Sequence, residues 1–389
     1  MTKETVMKGL VKESLDLDGL TLKTDLPVPR PGLGEVKIRV LATSVCGTDK
    51  NIYRISGNSG IKKAMRRYLK ANEAFRPLIV GHEFCGIVEE MGELPFDRKN
   101  EEVPPELIVE PGDYVTAEMH ISCGRCRLCR SGNAHICAEV KVKGVHLDGC
   151  FTESVVVPYR NVILLGKKGD QSLVPPRIGA MLDAFGNAIH TVEEADVRGK
   201  SVAVLGAGPL GLMSTLLCRH FGAAQIFITE VVDIERRFAL AKEFGSDQCF
   251  DVSRGSEKLY QSIQASCPRG SNGVDIVFEV SGAAGAYKDA FKIVGHGGSV
   301  VMLGIAEEPL EGFDVAEGIV FKGVRVKGIY GRKMFDTWQT MKQLLSSDRF
   351  GLARDLKKIL AEKEYTFDKY REAFENLVTG KELKLVFVP

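Results

Sequence analysis

No apolar run in the chain approaches the ~18 residues that a membrane-spanning helix needs. Residues 1–10 carry Lys and Glu where a secretory leader would be apolar, so a cytoplasmic location is expected. Charge of one sign is also missing. With 52 Lys and Arg against 51 Asp and Glu, the net charge of +1 gives no global attraction to nucleic acid or to an anionic membrane. Internal repeats and low-complexity segments are absent, which excludes a solenoid and a mainly disordered chain. What remains is a globular protein of 389 residues, enough for two or three domains. In a reducing compartment its ten cysteines point to metal rather than to disulfides, and four of them lie within fifteen residues.

The first half reads as strand-rich. Residues 35–45, EVKIRVLATSV, alternate apolar and polar, and 85–89 and 154–157 read as shorter strands. Gly and Pro at 29–34 and 111–112 argue against long helices here. The exception is 61–70, IKKAMRRYLK, where Ile61, Ala64, Met65, Tyr68 and Leu69 share a helical face opposite Lys62, Lys63, Arg66, Arg67 and Lys70. Such a basic amphipathic helix suits a solvated cover or subunit contact, or else a surface that attracts an anionic substrate.

From about residue 200 the pattern changes to apolar strands, at 201–205, 225–229, 248–250, 274–279, 299–303 and 324–328, separated by helical stretches. That is the pattern of an α/β doubly wound parallel sheet. The tail is helical until 384–388, read as a closing strand that rejoins the first domain.

Gly206-Ala207-Gly208-Pro209-Leu210-Gly211 follows the strand SVAVL and opens an apolar helix. Gly206 permits a tight turn, Gly208 lets backbone approach a pyrophosphate, and Gly211 allows close helix-to-strand packing, with free amides and the helix dipole facing the phosphates. Glu230, at the end of the second strand, is placed for the adenosine ribose and favours NAD over NADP; Arg236 or Arg237 beside it would partly compensate a 2′-phosphate. A solvated strand end is the plainer reading of Glu230.

Cys123, Cys126, Cys129 and Cys137 lie along one loop. Thiols so close do not pair easily into two unstrained disulfides, whereas a tetrahedral zinc needs such a wrapping loop, and four protein ligands make that metal structural. Arg125, Arg127 and Arg130 interleave them, which raises a nucleic-acid-binding zinc ribbon; the neutral overall charge and the absence of stacking aromatics weigh against it. Cys46, ahead of Gly47-Thr48-Asp49, and His82-Glu83, after Gly81, offer sulfur, nitrogen and oxygen to a second zinc with a position left open. Cys85, Cys150, Cys218, Cys249 and Cys267 read as core or inert thiols.

In the order Cys46-Gly47-Thr48-Asp49, Gly81-His82-Glu83, the 123–137 cysteine loop and the 206–211 glycines, nearly the whole chain resembles the zinc-containing medium-chain alcohol dehydrogenase family. The segments at 120–124 and 183–191, with Phe321-Lys322-Gly323, 327–332 and Phe335-Asp336-Thr337-Trp338, resemble its L-threonine 3-dehydrogenase branch. The resemblance implies a GroES-like β-rich catalytic domain at 1–177, with the cysteine lobe at 120–138, completed by 331–389. Between them it implies a Rossmann NAD-binding domain at 178–330, an active site in the cleft and a homodimer or homotetramer.

It further implies two zinc ions per chain, NAD, and oxidation of a secondary alcohol by hydride transfer. Thr48 would relay the proton, Asp183 take the fourth, exchangeable metal position, and His120 line the substrate pocket. On residues alone Asp183 reads as a helix N-cap and His120 as a core histidine. Three features depart from the family pattern: Asn51 stands where a relay histidine is usual, the connection between Cys46 and His82 is longer, and no Ile-Thr-His-like strand is apparent around 359–367. The expected partner is a small alcohol, with an anionic group if the basic segment serves it; threonine and a polyol, cyclitol or keto-sugar both remain open. Neither nucleic acid nor membrane is an expected partner.

Overall fold

A computed structural model describes residues 6–16, 19–55, 76–94, 108–267, 270–306, 309–347 and 351–389. The basic stretch 61–70 lies outside these residues. The chain forms two compact units, one of Met1–Asp183 with Lys333–Pro389 and the other of Ala184–Arg332. Among the described residues no helix is long and apolar enough to cross a membrane.

The first unit is built of antiparallel strands. Glu35–Ser44 is its central strand, flanked by Glu83–Met91 and by Ser154–Pro158, with Val386–Phe387 pairing to its end. Glu83–Met91 continues to Tyr114–Ala117 and Val162–Gly166. Alternation along 35–44 turns Val36, Ile38 and Val40 into a core with Phe84, Val88, Phe151, Phe374 and Phe387. Register carries function here: Ser44 pairs with Glu83 and with Val386, so three segments far apart in sequence meet at one end of this strand.

The second unit is a parallel sheet in the order Gln248–Asp251, Gln225–Glu230, Ser201–Leu205, Val274–Glu279, Val294–Met302, Arg325–Gly328. Numbered along the chain this is 3-2-1-4-5-6, the doubly wound order whose central crevice takes dinucleotides. Its four central strands are largely buried, and Ala203, Leu205, Phe227, Val277 and Val300 form the core with Leu259, Ile263 and Phe291 from the covering helices. The strand Val294–Met302 begins five residues before the sequence reading: Val294 pairs with Val274, and the glycines at 295, 297 and 298 fall in a register shift before the regular ladder resumes at Ser299, a break that hydropathy alone does not mark.

Gly206 takes φ +107°, and a Cβ at Gly211 would stand 1.8 Å from the Gly206 carbonyl oxygen, whereas one at Gly208 would meet nothing within 4 Å. Gly211→Ala is therefore expected to cost roughly 1–3 kcal/mol through overpacking and to lower the calorimetric melting temperature, while Gly208→Ala leaves it unchanged.

Candidate active site

The strand Glu35–Ser44 and the helix Gly47–Tyr53 place Cys46 at the N-cap of that helix. Its main-chain N–H donates to Asp49 Oδ2 at 2.9 Å, and the other Asp49 oxygen lies 3.4 Å from His82 Nδ1. Asp49 thus closes the helix start and sets its charge beside the imidazole, on the side where a carboxylate stands behind a metal-ligating histidine. His82 and Glu83 are set at the head of the next strand by Gly81, whose φ is +89°. A Cβ there would run into the Phe151 ring at 2.1 Å, and Cβ atoms at Gly144 or Gly149 would strike the Gly81 carbonyl.

The Cys46 sulfur, a His82 nitrogen and a Glu83 oxygen all lie within 4.8 Å of one another. Burial alone would push the His82 imidazole down; the charges of Asp49 and Cys46 reverse this and raise it well above its ordinary value. Negative potential of that strength around sulfur, nitrogen and oxygen donors fits a zinc ion. Asp183, in the first turn of Leu182–Glu193, is outside this group of three, although its charge acts on both Glu83 and Lys384. The helix begins at Leu182, so Asp183 lies one position inside it rather than at the cap.

Glu83 is fully buried. Its Oε2 accepts from the Ser44 hydroxyl and from Lys384 Nζ, the latter at 2.5 Å, and Lys384 also donates to the Val45 carbonyl at 3.1 Å. Burial works against the ammonium, but the Glu83 carboxylate and Cys46 outweigh it and hold Lys384 above its ordinary range. Lys384 was not singled out from sequence, since its partner is 301 positions away. The available signal was a lysine inside the apolar run KLVFV, where interior charges occur only when paired.

Thr48 is half-buried at the second position of its helix, and Asn51 follows one turn later. His120 begins the short strand His120–Ile121, and its Nδ1 lies 2.8 Å from Glu118 Oε1. Glu118 escaped the sequence reading, and Trp338, which donates to it at 2.9 Å, was named there only as part of the 335–338 segment. The i, i+2 spacing of Glu118 and His120, which puts two side chains on one face of extended backbone, was the available signal.

In the cysteine lobe the S···S separations are 3.9 Å for Cys123–Cys129, 3.5 Å for Cys126–Cys129, 3.9 Å for Cys126–Cys137 and 3.6 Å for Cys123–Cys137. A tetrahedral site with Zn–S near ~2.3 Å has edges of about 3.8 Å, so the four sulfurs fit the ion. Main-chain N–H groups of Arg125 and Cys126 bring the Cys123 thiol down to about 6, ready to ligate as thiolate. Elsewhere burial pushes Cys85 up to about 12 and raises Cys150 and Cys218 as well, which leaves them unreactive.

In the second unit Glu230 ends its strand and is nearly buried. It accepts from the Ala207 N–H at 3.0 Å, the Val231 N–H at 2.7 Å and Arg237 Nη1 at 2.7 Å. Arg237 is thus a basic partner of this acid, and Arg236 is half-buried at the preceding position of the same helix. Pro209 and Leu210 open the helix Pro209–His220, whose N-terminus follows the open Gly208 backbone, a cradle that fits a dinucleotide pyrophosphate.

Lys384→Met leaves the Glu83 charge buried without its partner and is expected to cost roughly 3–5 kcal/mol in chemical denaturation. Adding Glu83→Gln should recover most of that stability. In elemental analysis the native chain should carry two zinc ions, and Cys126→Ser one.

Residues 32–167 match the family model described as alcohol dehydrogenase GroES-like domain, and residues 209–347 the one described as zinc-binding dehydrogenase. The chain is 37% identical to L-threonine 3-dehydrogenase of Caldanaerobacter subterraneus subsp. tengcongensis over 384 residues, covering 99% of this chain and 98% of that protein. It is 37% identical to L-threonine 3-dehydrogenase of Pyrococcus abyssi over 366 residues, 94% of each. The solved structure of an alcohol dehydrogenase from Thermotoga maritima shares the fold, with a TM-score of 0.79 at 24% identity over 99% of this chain and 100% of that one. Identity at this level, sustained from end to end and joined to two zinc-sized ligand groups, places the chain in the zinc-binding medium-chain alcohol dehydrogenase family, enzymes that act on CH–OH groups with NAD(P).

Proposed function

We propose that the chain oxidises the secondary hydroxyl of L-threonine to the ketone, with NAD as hydride acceptor. The observation that carries this reading is the similarity to L-threonine 3-dehydrogenases along almost the entire chain, which takes in the 321–338 segments. Cys46, His82 and Glu83, with Asp183 in the exchangeable position, would hold a zinc ion that would supply Lewis acidity to the hydroxyl, with NAD as the hydride acceptor.

The chain's own groups do the rest. Asp49 sets its charge beside His82, and Ser44 with Lys384 fixes Glu83. Thr48 accepts a hydrogen bond from the substrate hydroxyl and passes its proton on; a threonine relays because it does not titrate near neutrality. Asn51, one turn further, holds no proton at neutral pH, so the path continues through water. His120 meets the substrate. Glu230 receives the adenosine ribose hydroxyls, and a 2′-phosphate would face its carboxylate, which supports NAD over NADP.

Self-association is part of the same proposal. Arg325–Gly328 is an exposed edge strand of the parallel sheet, and Val320, Phe321 and Val326 around it are 63%, 68% and 45% exposed. The mass by light scattering should be two or four times 42.6 kDa, and Phe321→Asp with Val326→Lys should lower it.

NADH formation by the zinc-loaded protein is expected to be strongest with L-threonine across a panel of cyclitols, hexitols, sugar acids and simple secondary alcohols. Thr48→Ala should lower kcat by roughly 100-fold or more. Turnover of a polyol or cyclitol without L-threonine would replace the substrate assignment and keep the chemistry.

A further inference from the structure

Glu118 is fully buried two residues before His120, and both of its carboxylate oxygens are engaged. Oε1 accepts the His120 main-chain N–H at 3.0 Å and lies 2.8 Å from His120 Nδ1; Oε2 accepts the indole N–H of Trp338 at 2.9 Å. A main-chain N–H and an indole N–H only donate. Two obligate donors on its two oxygens favour the ionised carboxylate, and beside a carboxylate the hydrogen between Oε1 and Nδ1 is carried by the ring. The backbone is held as firmly: the Asn161 side-chain amide donates to the Glu118 carbonyl at 2.6 Å and to the His120 carbonyl at 3.0 Å.

We propose that Glu118 is a positioning residue that fixes His120 as the Nδ1–H tautomer, so that Nε2 meets the substrate as a hydrogen-bond acceptor. A neutral imidazole protonated at Nδ1 carries its lone pair at Nε2. The group it recognises is then a donor, the ammonium or a hydroxyl of an amino alcohol, and not a carboxylate. Trp338, the only tryptophan of the chain, anchors the far oxygen and keeps the carboxylate from turning away. In place of Glu118 a glutamine has one oxygen for donors on both sides: if that oxygen serves Trp338, its NH2 donates to Nδ1 and drives the proton to Nε2. The substrate contact of His120 rests on the function proposed above, whereas its tautomer does not.

The test is magic-angle-spinning nitrogen-15 spectroscopy of the zinc-loaded protein labelled at its seven histidines, with the His120 signal identified by its loss in His120→Asn. At a pH where the ring is neutral, the wild type and Trp338→Phe are expected to show Nδ1 protonated and Nε2 bare, and Glu118→Gln to gain the Nε2–H form. With an amino alcohol as substrate, Glu118→Gln should raise KM about tenfold and change kcat less than about threefold, and KM for a simple secondary alcohol should hold. A wild-type signal from the Nε2–H tautomer overturns the proposal even if Glu118→Gln does not fold, as does an unchanged tautomer in that variant. An unchanged amino-alcohol KM in a variant whose tautomer has shifted overturns the acceptor role. Failure of the wild type to turn over any amino alcohol would overturn the substrate reading, and the spectrum would still decide the placement by Glu118.

Discussion

The Glu83 carboxylate and the Lys384 ammonium meet 2.5 Å apart with almost no exposure on either side. Taking either ion out of water alone costs several kcal/mol, so neither segment can settle without the other. That requirement ties the C-terminal strand to the strand that ends at Ser44 and to the one that begins at Glu83. Val386 pairs with Ser44, and Ser44 hydrogen-bonds Glu83. The metal-binding end of the first unit consequently forms only when the two ends of the sequence have come together, a long-range closure whose entropy is offset by the packed core around Phe84, Phe151, Phe374 and Phe387.

Around this pair the chain concentrates negative charge and excludes bulk. Asp49, Cys46, Glu83 and Asp183 supply the charge and Lys384 the buried counter-charge, and Asp49 and Cys46 act on His82 directly. Glycine supplies the room: Gly81, Gly144 and Gly149 let three backbone segments approach more closely than any side chain allows. The cysteine lobe is organised differently. Its four sulfurs come from one short loop, and their tetrahedral spacing needs little from the rest of the fold beyond contacts such as that with Met334.

Legibility followed sequence separation. The six parallel strands and the glycine turn could be read because each is a local pattern of hydropathy, glycine and helix start. The cysteine lobe could be read because its ligands are close neighbours in the chain. Lys384 could not, since nothing near it announces an acid 301 positions earlier. The same holds for Glu118 and for the hydrogen bond that Trp338 makes to it, and for the pairing of Arg237 with Glu230, which turns on which helical position faces the strand end.

By itself, the sequence determined the kinds of ligand atom available, the dinucleotide turn, the strand order's raw material and the family, because these depend on residue type at short spacing. Only the tertiary structure decided which ions are paired, which carboxylate holds which histidine, and which tautomer His120 adopts. Those outcomes depend on burial and on directional hydrogen bonds between residues tens to hundreds of positions apart, where the strength of a charge is set by what else has been brought inside with it.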